Sequence, residues 1–234
     1  MRQIILDTET TGLNTEEGHR IIEIGCIELI NRRFTGKRYH QYINPERQID
    51  EGAQAVHGLT QDFLQSKPVF NQIVREFMDF ITGAELIIHN APFDIGFINY
   101  ELNLTKQDWK SLNEYCPIVD TLIMARQLHI GQRNSLDALC KRYNVDNSKR
   151  DLHGALLDAR LLADVYLAMT GGQSSLFEEH QTIEPAQKKS KEIKKMMTEQ
   201  RNLIVINATM DELAAHEMKL QKMAEKGKCL WVEE

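Results

Sequence analysis

Three things are missing from this chain: cysteines at zinc spacing, a long apolar run, and a surplus of positive charge. The four cysteines, Cys26, Cys116, Cys140 and Cys229, form no C-x-x-C pair. That argues against a zinc site or a disulfide framework and for reduced, mostly buried thiols. No apolar stretch is long enough to cross a bilayer, and Met1-Arg2-Gln3 running into Ile4-Ile5-Leu6-Asp7 is not the start of a signal peptide, so a cytoplasmic protein with no membrane attachment is expected. The formal net charge is −6, whereas nonspecific affinity for polyphosphates comes from an excess of Lys and Arg. Any grip on such a ligand must be local. Arg126, Arg133, Lys141, Arg142, Lys149, Arg150 and Arg160 supply one local concentration of basic groups.

What is present is ordinary for a folded protein: 42% hydrophobic and 26% charged residues in a chain of 234, enough for one well-buried domain and a tail. Ile4–Asp7 reads as a buried strand, Arg20–Ile30 as a second, Asn31–Gly36 as a hairpin connection, and Tyr39–Ile43 as a third strand stopped by Asn44-Pro45. Helical spacing of Val69, Ile73, Val74, Phe77 and Ile81, after Pro68 in a first turn and before Gly83, marks a helix. Strand Glu85–Ile88, helix Phe93–Asn103, strand Pro117–Val119 and helix Thr121–Leu128 follow, then helices over Ser135–Tyr143 and Gly154–Met169. The pattern predicts an α/β domain of ribonuclease-H type, a five-stranded mixed sheet of order 3-2-1-4-5 flanked by helices.

From Gly171-Gly172 the texture loosens. Residues 1–170 are expected to form the folded domain, 171–187 a linker and 188–234 a tail with a lysine-rich opening. In the tail Leu203–Ile206 is strand-like, and Thr209 with Glu212 forms a capping box for a helix running to Lys226 and stopping at Gly227. So small a unit is expected to order only against a partner.

Chemistry-bearing residues recur at element ends. Asp7-Thr8-Glu9 puts two carboxylates on one side of a strand end. Asp94 opens a helix after His89-Asn90-Ala91-Pro92-Phe93, and His153 stands just before a helix that carries Asp158. Each alone has a bland reading, as a solvated strand end, a dipole-offsetting acid or a surface histidine. Together, four acids converging on neighbouring strand ends would repel one another unless cations lay among them. Oxygen ligation without cysteine suits Mg²⁺ or Mn²⁺. Two such ions would serve an in-line displacement at phosphorus, and His153, with a reference pKa of about 6.5, suits the role of general base.

Asp7-Thr8-Glu9-Thr10-Thr11-Gly12, His89-Asn90-Ala91-Pro92-Phe93-Asp94 and His153-Gly154-Ala155-Leu156-Leu157-Asp158 resemble, in order and spacing, the three motifs of the DEDDh exonucleases. Asn134–Cys140, Asp146–Arg150 and the ending Cys229-Leu230-Trp231 resemble the proofreading branch of that family, which serves bacterial replicative polymerases. The resemblance implies metal-dependent 3′-to-5′ hydrolysis at single-stranded or frayed DNA ends. Asp7 would bridge two metals, Glu9 and Asp158 would complete the first, Asp94 would help hold the second through water, and His153 would be the base. It also implies substrate contacts from Asp7, Thr8, Glu9, Leu13, His57 and Asp158, with His57 in the loop Val56-His57-Gly58-Leu59-Thr60. One departure is Gly52, beside Glu51, where relatives often place an acid toward the 3′-hydroxyl.

In the tail, Gln173-Ser174-Ser175-Leu176-Phe177 resembles a peptide that binds the β sliding clamp, with Gln173, Leu176 and Phe177 making the contacts. By the same resemblance Leu213, Leu220, Met223 and Trp231 anchor the tail on a polymerase subunit, and a theta-like small subunit is a further partner. Tethering would raise the nuclease concentration at the primer end without strong DNA affinity. Competing readings are a related nuclease acting on RNA or in repair, and a catalytically idle adaptor between clamp and polymerase.

Overall fold

In this computed structural model, residues 1–148, 150, 152–171 and 208–225 are described. Strand β1 (Arg2–Thr10) organises the sheet. It pairs antiparallel along its whole length with β2 (Ile21–Ile30) and parallel with β4 (Glu85–Ile88). β3 (Arg33–Tyr42) extends the sheet beyond β2, and β5 (Ile118–Asp120) extends it beyond β4. The resulting order, β3-β2-β1-β4-β5 in a five-stranded mixed sheet, is the expected one.

The first hairpin is tighter than expected. Asn31 and Arg32 alone form the turn, with φ of 50° and 63°, and β3 starts at Arg33, so Gly36 lies within the strand. Two successive positive φ values match the twist of the flanking strands. The signal is muted because Arg replaces the usual glycine at the second position. Two short helices, α1 (Glu51–His57) and α2 (Gln61–Gln65), occupy a stretch in which no helix was expected. Each has a single buried residue, His57 or Leu64, so neither carries an apolar stripe. Helix α3 (Phe70–Ile81) starts two residues after Pro68, and the Gln72 side chain accepts the Val69 N–H at 3.1 Å.

Helices α4 (Ala91–Leu104), α5 (Thr121–Leu128), α6 (Leu136–Tyr143) and α7 (Ala155–Thr170) fall close to their expected places. On one face of the sheet Phe70, Val74 and Phe77 of α3 and Phe97 and Ile98 of α4 pack on Ile4, Leu6, Ile24 and Leu86. On the other face Ala159, Leu162, Ala163 and Tyr166 of α7 cover Ile5, Ile27, Leu29 and Ile87. Helices α5 and α6 join α7 through Ala125, Leu139, Cys140, Leu161 and Val165. Cys26, Cys116 and Cys140 are buried free thiols.

The chain divides into two units, Met1–His180 and Gln181–Glu234. In the second, α8 (Met210–Ala224) opens on the expected capping box: Thr209 accepts from Glu212 N–H, and the Glu212 carboxylate accepts from Thr209 N–H at 2.8 Å. Gln173, Leu176, Phe177, the Leu203–Ile206 strand, the helix stop at Gly227, Cys229 and Trp231 lie outside the described residues. Among the described residues no helix is long and apolar enough to cross a membrane.

One glycine decides how closely the layers approach. Gly25 of β2 pairs with Asp7 across the sheet, and a Cβ there would stand 2.3 Å from the backbone of Ala155 and Leu156. The first turn of α7 therefore rests on β2 with no side chain between them. Gly25→Ala should destabilise the protein by about 1–3 kcal/mol, as overpacking does, and push the start of α7 away from β1. A denaturant midpoint unchanged from wild type would refute this account of the contact.

Candidate active site

Alternation along β1 sorts its side chains between the two layers. Ile5 faces α7, so Asp7 and Glu9 follow it toward that helix, whereas Ile4 and Leu6 face α3 and α4 and Thr8 follows them. Asp158, in the first turn of α7, comes to Asp7 and Glu9 from one layer. Asp94, in the first turn of α4, comes from the other and accepts a hydrogen bond from Thr8 Oγ at 2.7 Å. All four carboxylates line one cavity of about 660 Å³ with His153 and Arg150. Glu9, His153 and Asp158 each offer a ligand atom, and these atoms lie within 4.8 Å of one another.

The backbone that presents Asp94 is held by a residue that sequence reading missed. Asp120, at the end of β5, caps α5 by accepting Leu122 N–H at 2.8 Å and Ile123 N–H at 3.3 Å. The same carboxylate accepts Asn90 N–H at 3.2 Å and Ala91 N–H at 3.1 Å. Asn90 has a left-handed φ of 64°, so this clamp secures an unfavourable turn at the start of α4. His89 is fixed alongside, its Nδ1 2.9 Å from Thr121 Oγ. An Asp before a helix was a readable cap signal; its second grip on a distant loop was not.

His153 is placed by its neighbours in space. Its N–H donates to Val56 O of α1 at 3.1 Å, and its ring stands 3.5 Å through Nδ1 from Asp158 Oδ2. Arg150 is the least expected member. Its guanidinium grips both oxygens of Asp158, reaches Asp137 Oδ1 at 2.6 Å, and lies 3.0 Å from His153 Nδ1.

Electrostatics show what the cavity lacks. Burial pushes the Asp7 carboxyl well above the usual range, and the charges of Asp94, Glu9 and Asp158 push the same way, with Arg150 offsetting part. Burial, then Asp158 and Glu23, raise Glu9 to about 8. Asp94 is raised too, chiefly by burial and against the hydrogen bond from Thr8. One guanidinium does not neutralise four carboxylates. A donor set of carboxylate oxygens and one imidazole, short of positive charge, fits hard divalent cations.

A second hollow, of about 640 Å³, adjoins the first: Thr8, Glu9 and Phe93 line both. Leu13 and His57 line it as well, so every residue expected to touch substrate borders one hollow or the other. Leu13 is 77% exposed, an apolar side chain open to a ligand. His57 is buried, and its Nδ1 accepts Leu59 N–H at 3.0 Å. The neutral ring therefore carries its proton on Nε2, which has no hydrogen-bond partner among the described residues. Burial lowers its pKa and keeps it neutral. Gly52 lines this hollow with open space where a Cβ would be, and Asp50 lines it too.

Asp120→Ala should remove about 1 kcal/mol or more with the lost cap and weaken divalent-cation binding by releasing Asp94. Asp120→Asn, which keeps an acceptor oxygen, should lose less of both. Calorimetric Mn²⁺ titration checks this, and unchanged affinity in the alanine variant would show that the clamp does not position Asp94.

Comparison with known proteins agrees with this geometry. A family model described as Exonuclease matches residues 4–166. The chain is 52% identical over 235 residues to DNA polymerase III subunit epsilon of Salmonella typhimurium, covering 98% of this chain and 97% of that protein. The counterpart in Escherichia coli K12 has the same identity, and that of Haemophilus influenzae is 51% identical over 242 residues, covering 98% of this chain and 94% of that protein. Among solved structures, the nuclease domain of 3′hExo, a DEDDh family member bound to rAMP, superposes with a TM-score of 0.61 at 20% identity, over 72% of this chain and 90% of that one. Exonuclease X in complex with 5′ overhanging duplex DNA gives 0.54 at 24% identity, over 72% and 91%; both show the shared fold. With matches covering the catalytic unit and nearly the full chain, the protein belongs to the exonuclease family and, within it, to the epsilon subunits of DNA polymerase III.

Proposed function

We propose that the chain is the 3′-to-5′ exonuclease that proofreads DNA synthesis, hydrolysing the terminal phosphodiester of a frayed or single-stranded 3′ end. The observation that carries this reading is the meeting of Asp7, Glu9, Asp94 and Asp158 from three separate stretches in one cavity beside His153. Asp7 would be shared by two divalent cations, Mg²⁺ or Mn²⁺, with Glu9 and Asp158 on one and Asp94 on the other. Bound there, the cations would stabilise charge on the attacking and leaving oxygens of an in-line displacement.

The remaining chemistry falls to the chain's own side chains. The His153 side chain is 44% exposed at the cavity mouth, where its ring would serve as the base toward water, and Asp158, 3.5 Å from its Nδ1, would stabilise the imidazolium. His57, held neutral with Nε2 as donor, suits an acceptor on the terminal nucleotide, and Leu13 offers an apolar surface to the base or sugar. A mispaired end costs less to lift from its partner, so fraying feeds the wrong nucleotide into these hollows preferentially.

The tail reading follows from composition and exposure. Residues 1–170 form the exonuclease domain, 171–187 a linker carrying the clamp-binding Gln173, Leu176 and Phe177, and 188–234 the segment that docks on the alpha subunit of DNA polymerase III. Leu213 and Met223 of α8 are exposed and Leu220 partly so, which supports a helix that presents apolar anchors. A theta-like small subunit is a further partner on this reading.

Purified protein with Mg²⁺ and a 3′-mismatched primer should release mononucleotides. Asp7→Ala should abolish release, and His153→Ala should slow it by about 10²–10⁴-fold. Endonucleolytic cuts or a preference for RNA would sink the assignment. Removing the residues after Thr170 should spare hydrolysis of single strands and end co-purification with the polymerase.

Titration supplies a separate check. Without cations the fold keeps Glu9 protonated up to about pH 8, whereas an unfolded glutamate ionises near 4.5. The folded state thus binds more protons between these values, so cation-free stability falls as pH rises through the window. Cations need the ionised groups, so their stabilisation should grow over the same range. Melting temperatures with EDTA and with Mg²⁺, from about pH 5.5 to 8.5, should diverge as pH rises; parallel curves would contradict the buried-carboxylate account.

A further inference from the structure

Arg150 occupies an odd place for a structural cation. Its side chain is only 6% exposed, yet it lines the carboxylate cavity. Nε and Nη2 each take one oxygen of Asp158, a two-point grip that matches fork to carboxylate. Nη2 also meets His153 Nδ1 at 3.0 Å. A guanidinium only donates, so Nδ1 must accept and the neutral His153 ring must carry its proton on Nε2. In that tautomer neither ring nitrogen is free to take a proton from water.

Glu9, His153 and Asp158 bring donor atoms within 4.8 Å of one another, and Glu9 and Asp158 are the ligands assigned to one cation. Arg150 holds His153 and Asp158. A divalent ion that takes an Asp158 oxygen and sits next to this guanidinium would face both a rival for the ligand and a like charge. Asp137 gives the arginine somewhere to stay: it accepts from Nη1 at 2.6 Å, and its side chain is 52% exposed, on the solvent side of the cluster. Leaving Asp158 would not strand Arg150 without a partner.

We propose that Arg150 is a displaceable internal counter-ion, which competes with the divalent cation for Asp158 and, until it leaves, holds His153 in the tautomer that cannot act as base. This rests on the reading of the carboxylates as a cation site. The guanidinium offsets part of the carboxylate repulsion while no cation is bound, and cation entry exchanges one counter-ion for another. Loading of the site and release of His153 then become a single event.

The test is calorimetric titration of MnCl₂ into the full-length chain, wild type against Arg150→Gln. The variant should bind Mn²⁺ about tenfold more tightly, within the usual range of couplings between two sites. In EDTA it should melt below wild type, and saturating Mn²⁺ should close that gap. Arg150→Lys, which keeps the positive charge but not the two-point grip on Asp158, should shift affinity the same way by less. It decides the matter if the glutamine variant does not fold without metal: a gain supports competition, and no gain overturns it. Nitrogen chemical shifts of His153 in cation-free wild type should report the proton on Nε2; a proton on Nδ1 would overturn the tautomer claim. Equal or weaker Mn²⁺ binding by Arg150→Gln, with clear binding by wild type, refutes the proposal and leaves the cation site standing. Absence of Mn²⁺ binding in every form removes the cation site, and the proposal with it.

Discussion

Repulsion among buried carboxylates is the constraint to which the rest of the molecule answers. Asp7, Glu9, Asp94 and Asp158 line one cavity, where lost hydration raises the pKa of the first three and repulsion from neighbouring carboxylates of the cluster adds to it for Asp7 and Glu9. Left alone, such a cluster would favour protonation or local opening. The fold holds it together by surrounding it with rigid backbone. The whole length of β1 is paired on its β2 side, Gly25 lets α7 rest directly on β2, and Asp120 ties the opening of α4 to the opening of α5. Stability spent on gathering these charges returns as affinity for whatever cation neutralises them.

That constraint explains the division of labour between the layers. The apolar residues of β1 point alternately into the two cores, and the acids continue the same alternation past the point where the cores end. Asp7 and Glu9 therefore meet Asp158 from the α7 side, while Thr8 meets Asp94 from the α4 side. The site is the place where both cores run out at the C-terminal end of the central strand β1, so each layer contributes a carboxylate without either being exposed along its length. The neighbouring hollow with His57 and Leu13 shares Thr8, Glu9 and Phe93 with it.

Much of this was legible before any coordinates. The switch from period two to helical spacing located the strands and most helices, because each element buries one face against a neighbour and its apolar residues must repeat accordingly. The three acidic motifs stood out by joint occurrence, and Asp7, Glu9, Asp94, His153 and Asp158 do line one cavity. Short α1 and α2 were invisible for the complementary reason: each buries a single side chain, which leaves no repeat to read. The two-residue hairpin turn was hidden by an arginine where glycine is usual.

What the amino-acid order determined by itself was therefore local: which segments extend or coil, which side chains are apolar, and which residue types can bind a hard cation. What the tertiary structure alone decided was pairing across distance. That Asp120 grips the Asn90–Ala91 turn 29 and 30 residues away, that Arg150 rather than solvent faces Asp158 and His153, and that Gly25 is the floor beneath α7 has no periodic signature. Periodicity records how one segment meets an average apolar surface. Hydrogen bonds and ion pairs between separate segments depend on positions fixed to within a few tenths of an ångström, and those exist only once every layer has packed.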